Sequence, residues 1–185
     1  MKHQHAIRQW TFTAFLIAGV GAVSLPAAPA RAFDVGGLVK SAGNSAANAG
    51  RDAAVKKVNA KLLAEGRKNQ CSFKVDSDQL EPGCDKKLKN LANTLVDVKK
   101  QLKVGGVTTF KFEVSGHTDS SGKADHNKEL SGKRAAVIAK ELVARGIPEN
   151  EIISVGMGSE KPVVSPDNTE AKKKKNRRYE IQVKF

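Results

Sequence analysis

Residues 112–145 read FEVSGHTDSSGKADHNKELSGKRAAVIAKELVAR, and this stretch decides the fold. Phe112 and Val114, with Phe110 just before them, fall on one side of an extended chain, and Lys111 and Glu113 fall on the other. That is the two-residue period of a half-buried strand, here predicted over 107–115. Residues 116–122 are Gly, Ser, Thr and Asp around a single histidine, a loop composition. From 124 the period becomes helical: Leu130, Ala135, Ile138, Ala139 and Leu142 share a face, and Gly146 followed by Pro148 closes the helix after Arg145. A strand, a short loop and a helix in that order set the loop residues beside the free N–H groups and positive dipole end of the helix.

The same alternation continues on both sides. Upstream, Phe73 and Val75 mark a short strand and residues 81–83 a turn. Leu88, Leu91, Ala92, Leu95, Val98 and Leu102 then form one helical stripe, stopped by Gly105-Gly106. Downstream come a strand over 152–155, a loop with Gly156, Gly158, Pro162 and Pro166, and a short helix over 169–175. Tyr179, Ile181, Val183 and Phe185 alternate through a last strand. The order strand, helix, strand, helix, strand, strand predicts an α+β domain over 71–185, with helices over one face of the sheet and right-handed crossovers.

The 185 residues allow one such domain plus extra segments. Lys2 and Arg8, an apolar run over 10–25 and Ala30-Arg31-Ala32 read as a signal peptide over 1–32, cleaved before Phe33. Thr11, Thr13, Gly19, Gly21 and Ser24 interrupt the apolar run and Pro26 ends it, which argues against a permanent membrane span. With no cysteine at the cleavage point, no lipid anchor is expected there. The composition of 33–50 is Gly, Ala, Asn and Ser, the makeup of a flexible or weakly helical tether. Val55, Val58, Leu62 and Leu63 give 51–68 an amphipathic helical pattern. Such a helix packs on its own domain or meets a partner, and the sequence does not choose.

Export bears on the cysteines and on the charge. Cys71 and Cys84 are the only two, and an oxidising compartment lets them pair across a short loop, stabilising by up to ~3 kcal/mol. Two buried thiols are the alternative. The net charge is +13, so the surface attracts polyanions. Outside the cytoplasm those are acidic wall polymers and lipid headgroups, not nucleic acid. The lysines 172–175 with Arg177 and Arg178 make the sharpest cluster, yet the phenylalanines occupy core-type positions, so platforms for stacked bases are missing.

Taken together, several short elements resemble one family. Gly116-His117-Thr118-Asp119, Gly122, Asn127, Leu130-Ser131, Arg134-Ala135, Gly146, Gly156-Met157-Gly158, Pro162 and Asn176-Arg177-Arg178 follow in order and spacing the signature of OmpA-like domains. The resemblance runs from about Cys71 to Phe185 and implies a β-α-β-α-β-β fold with a mixed sheet. It further implies non-covalent binding of peptidoglycan through the diaminopimelate residue of the stem peptide, with neither catalytic step nor cofactor. Asp119 and Arg134 match the family's ligand-holding aspartate and arginine, one for the ammonium and the other for the carboxylate. Thr118 and Asn127 match positions bordering the site, Asn127 as a brace for the loop. Arg177 and Arg178 match the paired arginines before the last strand, one of them near the pocket. The implied place is the periplasm, with possible attachment to an outer-membrane or envelope protein partner.

Each residue has a plainer reading. Asp119 alone is a turn or capping residue, and Arg134 alone a surface arginine in an ion pair. His117 reads as a loop-bracing or partly buried histidine, and its neighbours Asp119 and Ser120 lie too close in an extended chain to complete a triad. His117, Asp125 and His126 lack the regular spacing of a metal site, so none is expected.

Overall fold

The computed structural model describes residues 35–185, with side chains from residue 49 onward, so the expected signal peptide over 1–32 and the cleavage point before Phe33 lie outside the described residues. Four helices and three strands follow in order: α1 (Val35–Lys68), α2 (Asp85–Val104), β1 (Lys111–His117), α3 (Ala124–Val143), β2 (Ile152–Gly156), α4 (Glu170–Asn176) and β3 (Arg178–Lys184). The sheet order is β2-β1-β3. Strand β1 runs parallel to β2, with Phe112 opposite Ile152, and antiparallel to β3, with Phe112 opposite Val183, so the sheet is mixed as expected.

Phe112 and Val114 of β1 and Tyr179, Ile181 and Val183 of β3 point into the core and are almost fully buried. The expected stripe of α2 is the buried one, from Leu88 to Leu102, and α3 adds Ala135, Ile138 and Leu142. Helices α1, α2 and α3 therefore share a core on one sheet face. The opposite face is polar, with Gln182 donating to Glu113 at 2.8 Å and Arg178 bound to Glu180 at 2.7 Å. Both long core helices end in the same closure, in which the N–H of Val107 or Ile147 reaches back to the carbonyl of Leu102 or Leu142.

Helix α3 lies very close to the sheet. A Cβ on Gly116 would sit 2.1 Å from the Ser131 carbonyl oxygen, and one on Gly156 2.3 Å from that of Lys128. Only hydrogen at these two positions lets the helix rest on the strands, which draws the loop between β1 and α3 down against the sheet edge.

One expectation about the sheet changes. The first strand, at Phe73 and Val75, is not in the sheet: Phe73 makes one antiparallel bridge to Leu80, the chain doubles back, and Val75 is 97% exposed. The reason is visible on the outer edge of β3, which a further strand would occupy. Asn59 accepts from Val183 N at 2.7 Å and donates to Val183 O at 3.4 Å. Gln70 donates to Tyr179 O at 2.7 Å and accepts from Tyr179 N at 3.2 Å. Two amide side chains thus take the hydrogen bonds of a missing strand and protect the edge.

Over 33–70 a flexible or weakly helical tether with a short helix over 51–68 was expected, and the described part of it starts at Val35. One helix of 34 residues, α1, runs unbroken from Val35 to Lys68. Alanines favour helix, and the few glycines are offset by anchoring at the C-terminal end, where Val58 and Leu62 are buried in the shared core. No helix among the described residues is long and apolar enough to cross a membrane.

Cys71 and Cys84, the pair expected to form a disulfide, are both free in the structure, buried side by side. Burial and the adjacent Cys84 push the Cys71 thiol up to about 12, which favours its protonated form.

Candidate functional site

The site lies where β1 runs into α3. The backbone N–H of Thr118 donates to Gly158 O at 2.9 Å, which fixes the start of the loop against the segment after β2. Asp119 follows, only 8% exposed, with one charged partner on its carboxylate. Its Oδ1 accepts from Ser121 N at 2.9 Å and its Oδ2 from Arg177 at 2.7 Å. Burial alone raises the Asp119 carboxyl, but the Arg177 and Ser121 hydrogen bonds outweigh it and hold the group below its ordinary value.

Side chains hold the loop in place. Asp167 accepts from Ser120 N at 3.0 Å, from the Ser120 hydroxyl, and from Asn176 Nδ2 at 2.9 Å. These bonds bring the Asp167 carboxyl down to about 2. Asn127 donates to Ser121 O at 2.8 Å from the first turn of α3, so it braces the loop. At the base of the loop, His117 is buried with Nε2 3.3 Å from Ser115 Oγ. Burial, helped by Arg178, pulls the imidazole down to about 4, so it is neutral at ordinary pH. The buried Thr118 hydroxyl and His117 Nδ1 have no protein hydrogen-bond partner among the described residues.

Arg134 reaches the same cleft from α3. It lies across the loop 72–83: Nε donates to Ser77 O at 2.8 Å, Nη2 donates to Lys74 O at 3.2 Å, and the guanidinium carbon is 5.1 Å from the centre of the Phe73 ring. Asp119 and Arg134 are not paired with each other. They line one cleft of about 1210 Å³ together with Thr118, Asn127, Arg177 and Arg178. Of the two neighbouring arginines, Arg177 is the one on Asp119, and it also binds Glu170. Arg178 is spent on Glu180 and on the carbonyls of Asn176 and Lys161.

The structure does not bring His117, Asp125 and His126 into a metal-binding group, and His126 instead meets Asp76 at 2.7 Å. What sequence reading missed is the support: Ser120 and Asp167 on one side, and the Phe73 ring with two backbone carbonyls on the other. Asp167 carries a faint signal as an acid in a Pro-rich loop; the carbonyls carry none. An open cleft with a recessed carboxylate and a fixed guanidinium can hold a small zwitterion by both ends.

Residues 72–177 match the model of the OmpA family, more than half of the chain. The chain belongs to the OmpA family. Among curated relatives, the peptidoglycan-binding protein ArfA of Mycobacterium tuberculosis is 43% identical over 73 residues, which is 40% of this chain and 22% of ArfA. The probable lipoprotein YiaD of Escherichia coli is 35% identical over 113 residues, 61% of this chain and 47% of YiaD. This OmpA-family chain thus spans less than half the length of these relatives. Among solved structures, the peptidoglycan-associated lipoprotein of Burkholderia pseudomallei superimposes with a TM-score of 0.51 at 25% identity, covering 62% of this chain and 89% of that one. The C-terminal domain of Helicobacter pylori MotB shares the fold, with a TM-score of 0.52 at 21% identity over 63% of this chain and 84% of that one.

Proposed function

We propose that this OmpA-family domain holds peptidoglycan non-covalently, by the diaminopimelate residue of the stem peptide, and so anchors the protein or its partner to the wall in the periplasm. The observation that carries this reading is the pair of opposite charges lining one cleft, Asp119 recessed and Arg134 fixed. The relatives described above, a peptidoglycan-binding protein and a peptidoglycan-associated lipoprotein, support it. In this reading the ligand ammonium takes the place of Arg177 on Asp119, and the ligand carboxylate meets the Arg134 guanidinium. Thr118 supplies its free hydroxyl, Asn127 holds the loop, and Arg178 forms the far wall. The process is binding with no catalytic step and no cofactor, and a cleaved signal peptide over 1–32 delivers the chain.

The test is a pull-down with purified sacculi. Wild-type protein is retained, and Asp119→Ala and Arg134→Ala both abolish retention. Retention of either variant at wild-type level rejects the site. A stem peptide with lysine in place of diaminopimelate leaves the guanidinium without its carboxylate and binds about 30-fold or more weakly.

A second reading has one observation in its favour. Residues 49–54 of α1 are exposed, well before the packed turns at Val58 and Leu62. A helix of this length reaches about 50 Å, enough to present a surface away from the cleft to an envelope protein partner. In that case the chain is a scaffold and wall binding is secondary. Deleting 33–56 separates the two: unchanged sacculus retention supports the wall-binding module, and loss of complex formation supports the scaffold.

A further inference from the structure

The two cysteines stand at the ends of the loop that holds Arg134. Glu81 N donates to Ser72 O at 3.0 Å, Phe73 bridges Leu80, and Lys74 N donates to Gln79 O at 2.9 Å, so the loop is a small antiparallel clasp. Cys71 lies just outside one end and Cys84 just outside the other, and both are buried, 7% and 8% exposed. Lys87 ties the base by donating to Gln70 O at 2.8 Å. Inside the clasp are the Ser77 and Lys74 carbonyls and the Phe73 ring, the three groups that hold the Arg134 guanidinium. Between Ser72 and Glu81 the loop is held mainly by its own few hydrogen bonds, with Phe73 and Leu80 only partly buried against the core.

We propose that Cys71 and Cys84 act as a redox-controlled lock on this clasp, and that closing the lock presets Arg134 for its anionic partner. The inference rests on the peptidoglycan reading only for the identity of that partner. The chemistry is thiol–disulfide exchange with a small-molecule disulfide. One thiolate attacks the oxidant, forming a mixed disulfide and releasing one thiol. The second cysteine attacks the mixed disulfide, the Cys71–Cys84 bond forms, and a second thiol leaves. Two electrons and two protons pass to the oxidant. The raised thiol at Cys71 makes attack slow in the closed fold, so the exchange proceeds during folding or through opening of the clasp. Once formed, the bond removes the open forms of the loop, and Arg134 loses less freedom when ligand arrives. Phe73, Lys74 and Ser77 are then positioning residues that act through Arg134.

The full chain is treated with oxidised glutathione or with a reductant, and thiols are titrated. The expected counts are zero and two, the two matching the free cysteines of the structure. Binding of a soluble muramyl tripeptide ending in diaminopimelate is then measured by calorimetry. The oxidised form binds about tenfold more tightly, the change expected from fixing a few side chains beforehand. The double variant Cys71→Ser, Cys84→Ser binds like reduced wild type under both conditions. A ligand-free readout is proton exchange at Arg134 Nε–H by nuclear magnetic resonance, slower in the oxidised form because its bond to Ser77 O persists. Two thiols remaining after oxidation, or equal Nε–H exchange in the two forms, overturns the lock, and so does equal affinity with measurable binding in both. If Nε–H exchange responds to oxidation while neither form binds the tripeptide, the lock stands and the peptidoglycan reading fails.

Discussion

The two walls of the cleft are made in different ways. The wall with Asp119 is the loop between β1 and α3, and dedicated side chains hold it: Asp167 and Asn176 from one direction, Asn127 from another. The wall facing Arg134 is the loop 72–83, which is held mainly by its own backbone, with one side-chain tie from His126 to Asp76, and contributes carbonyl oxygens. Where side chains form the wall, residue type is constrained position by position. Where backbone forms it, almost any residues serve, provided the chain can turn. The comparison predicts that single substitutions damage the first wall far more than the second.

The largest effect is expected beneath the first wall. Gly116→Ala puts a methyl group into the Ser131 carbonyl, which is backbone and cannot rotate away, so α3 must lift from the sheet. The expected loss is more than about 3 kcal/mol, read as a shift of the urea midpoint at unchanged slope. Next comes acid. The folded protein keeps His117 neutral down to about 4, whereas an unfolded chain protonates it near 6.5. Stability is therefore complete above about pH 6.5 and falls as pH drops toward 4, by about 3 kcal/mol in all. Urea titrations across this range check it, and His117→Gln removes that part of the slope. Asp119 acts in a lower window: its carboxyl is held below 3.8, so its contribution is kept above that value and is lost as pH falls further.

The contrast between the walls also explains what was legible in the sequence. The elements from α2 to β3 follow from periodicity, because each buries one face, and the Asp119 loop follows from a motif of specific side chains. The missing strand at Phe73 and Val75 was not legible. Its alternation is genuine but too short, and the competitor for the β3 edge is a pair of amides, Asn59 on α1 and Gln70 just beyond its end. Nothing in the one-dimensional pattern marks an amide as a strand substitute. The pairing of Arg177 with Asp119 was half legible: two adjacent arginines suggested the pocket, and both line it, but only their hydrogen bonds separate them, Arg177 on Asp119 and Arg178 on Glu180 and two backbone carbonyls.

Smaller effects test the walls against each other through binding. Asp167→Ala frees Ser120 and Asn176 together and lets the Asp119 loop move, lowering sacculus affinity about tenfold while Asp119 itself is intact. The matching change on the other side is Phe73→Ala. It removes the ring beneath the Arg134 guanidinium but leaves both carbonyl hydrogen bonds, since those come from backbone. A cation over an aromatic face at this partly exposed site is worth about 1 kcal/mol, so affinity should fall only about fivefold. Phe73→Tyr keeps the ring and should bind like wild type, and Val75→Ser, on the exposed turn, should change nothing. If Phe73→Ala instead abolishes retention as Arg134→Ala does, the clasp depends on that side chain for its shape, and the second wall is built like the first.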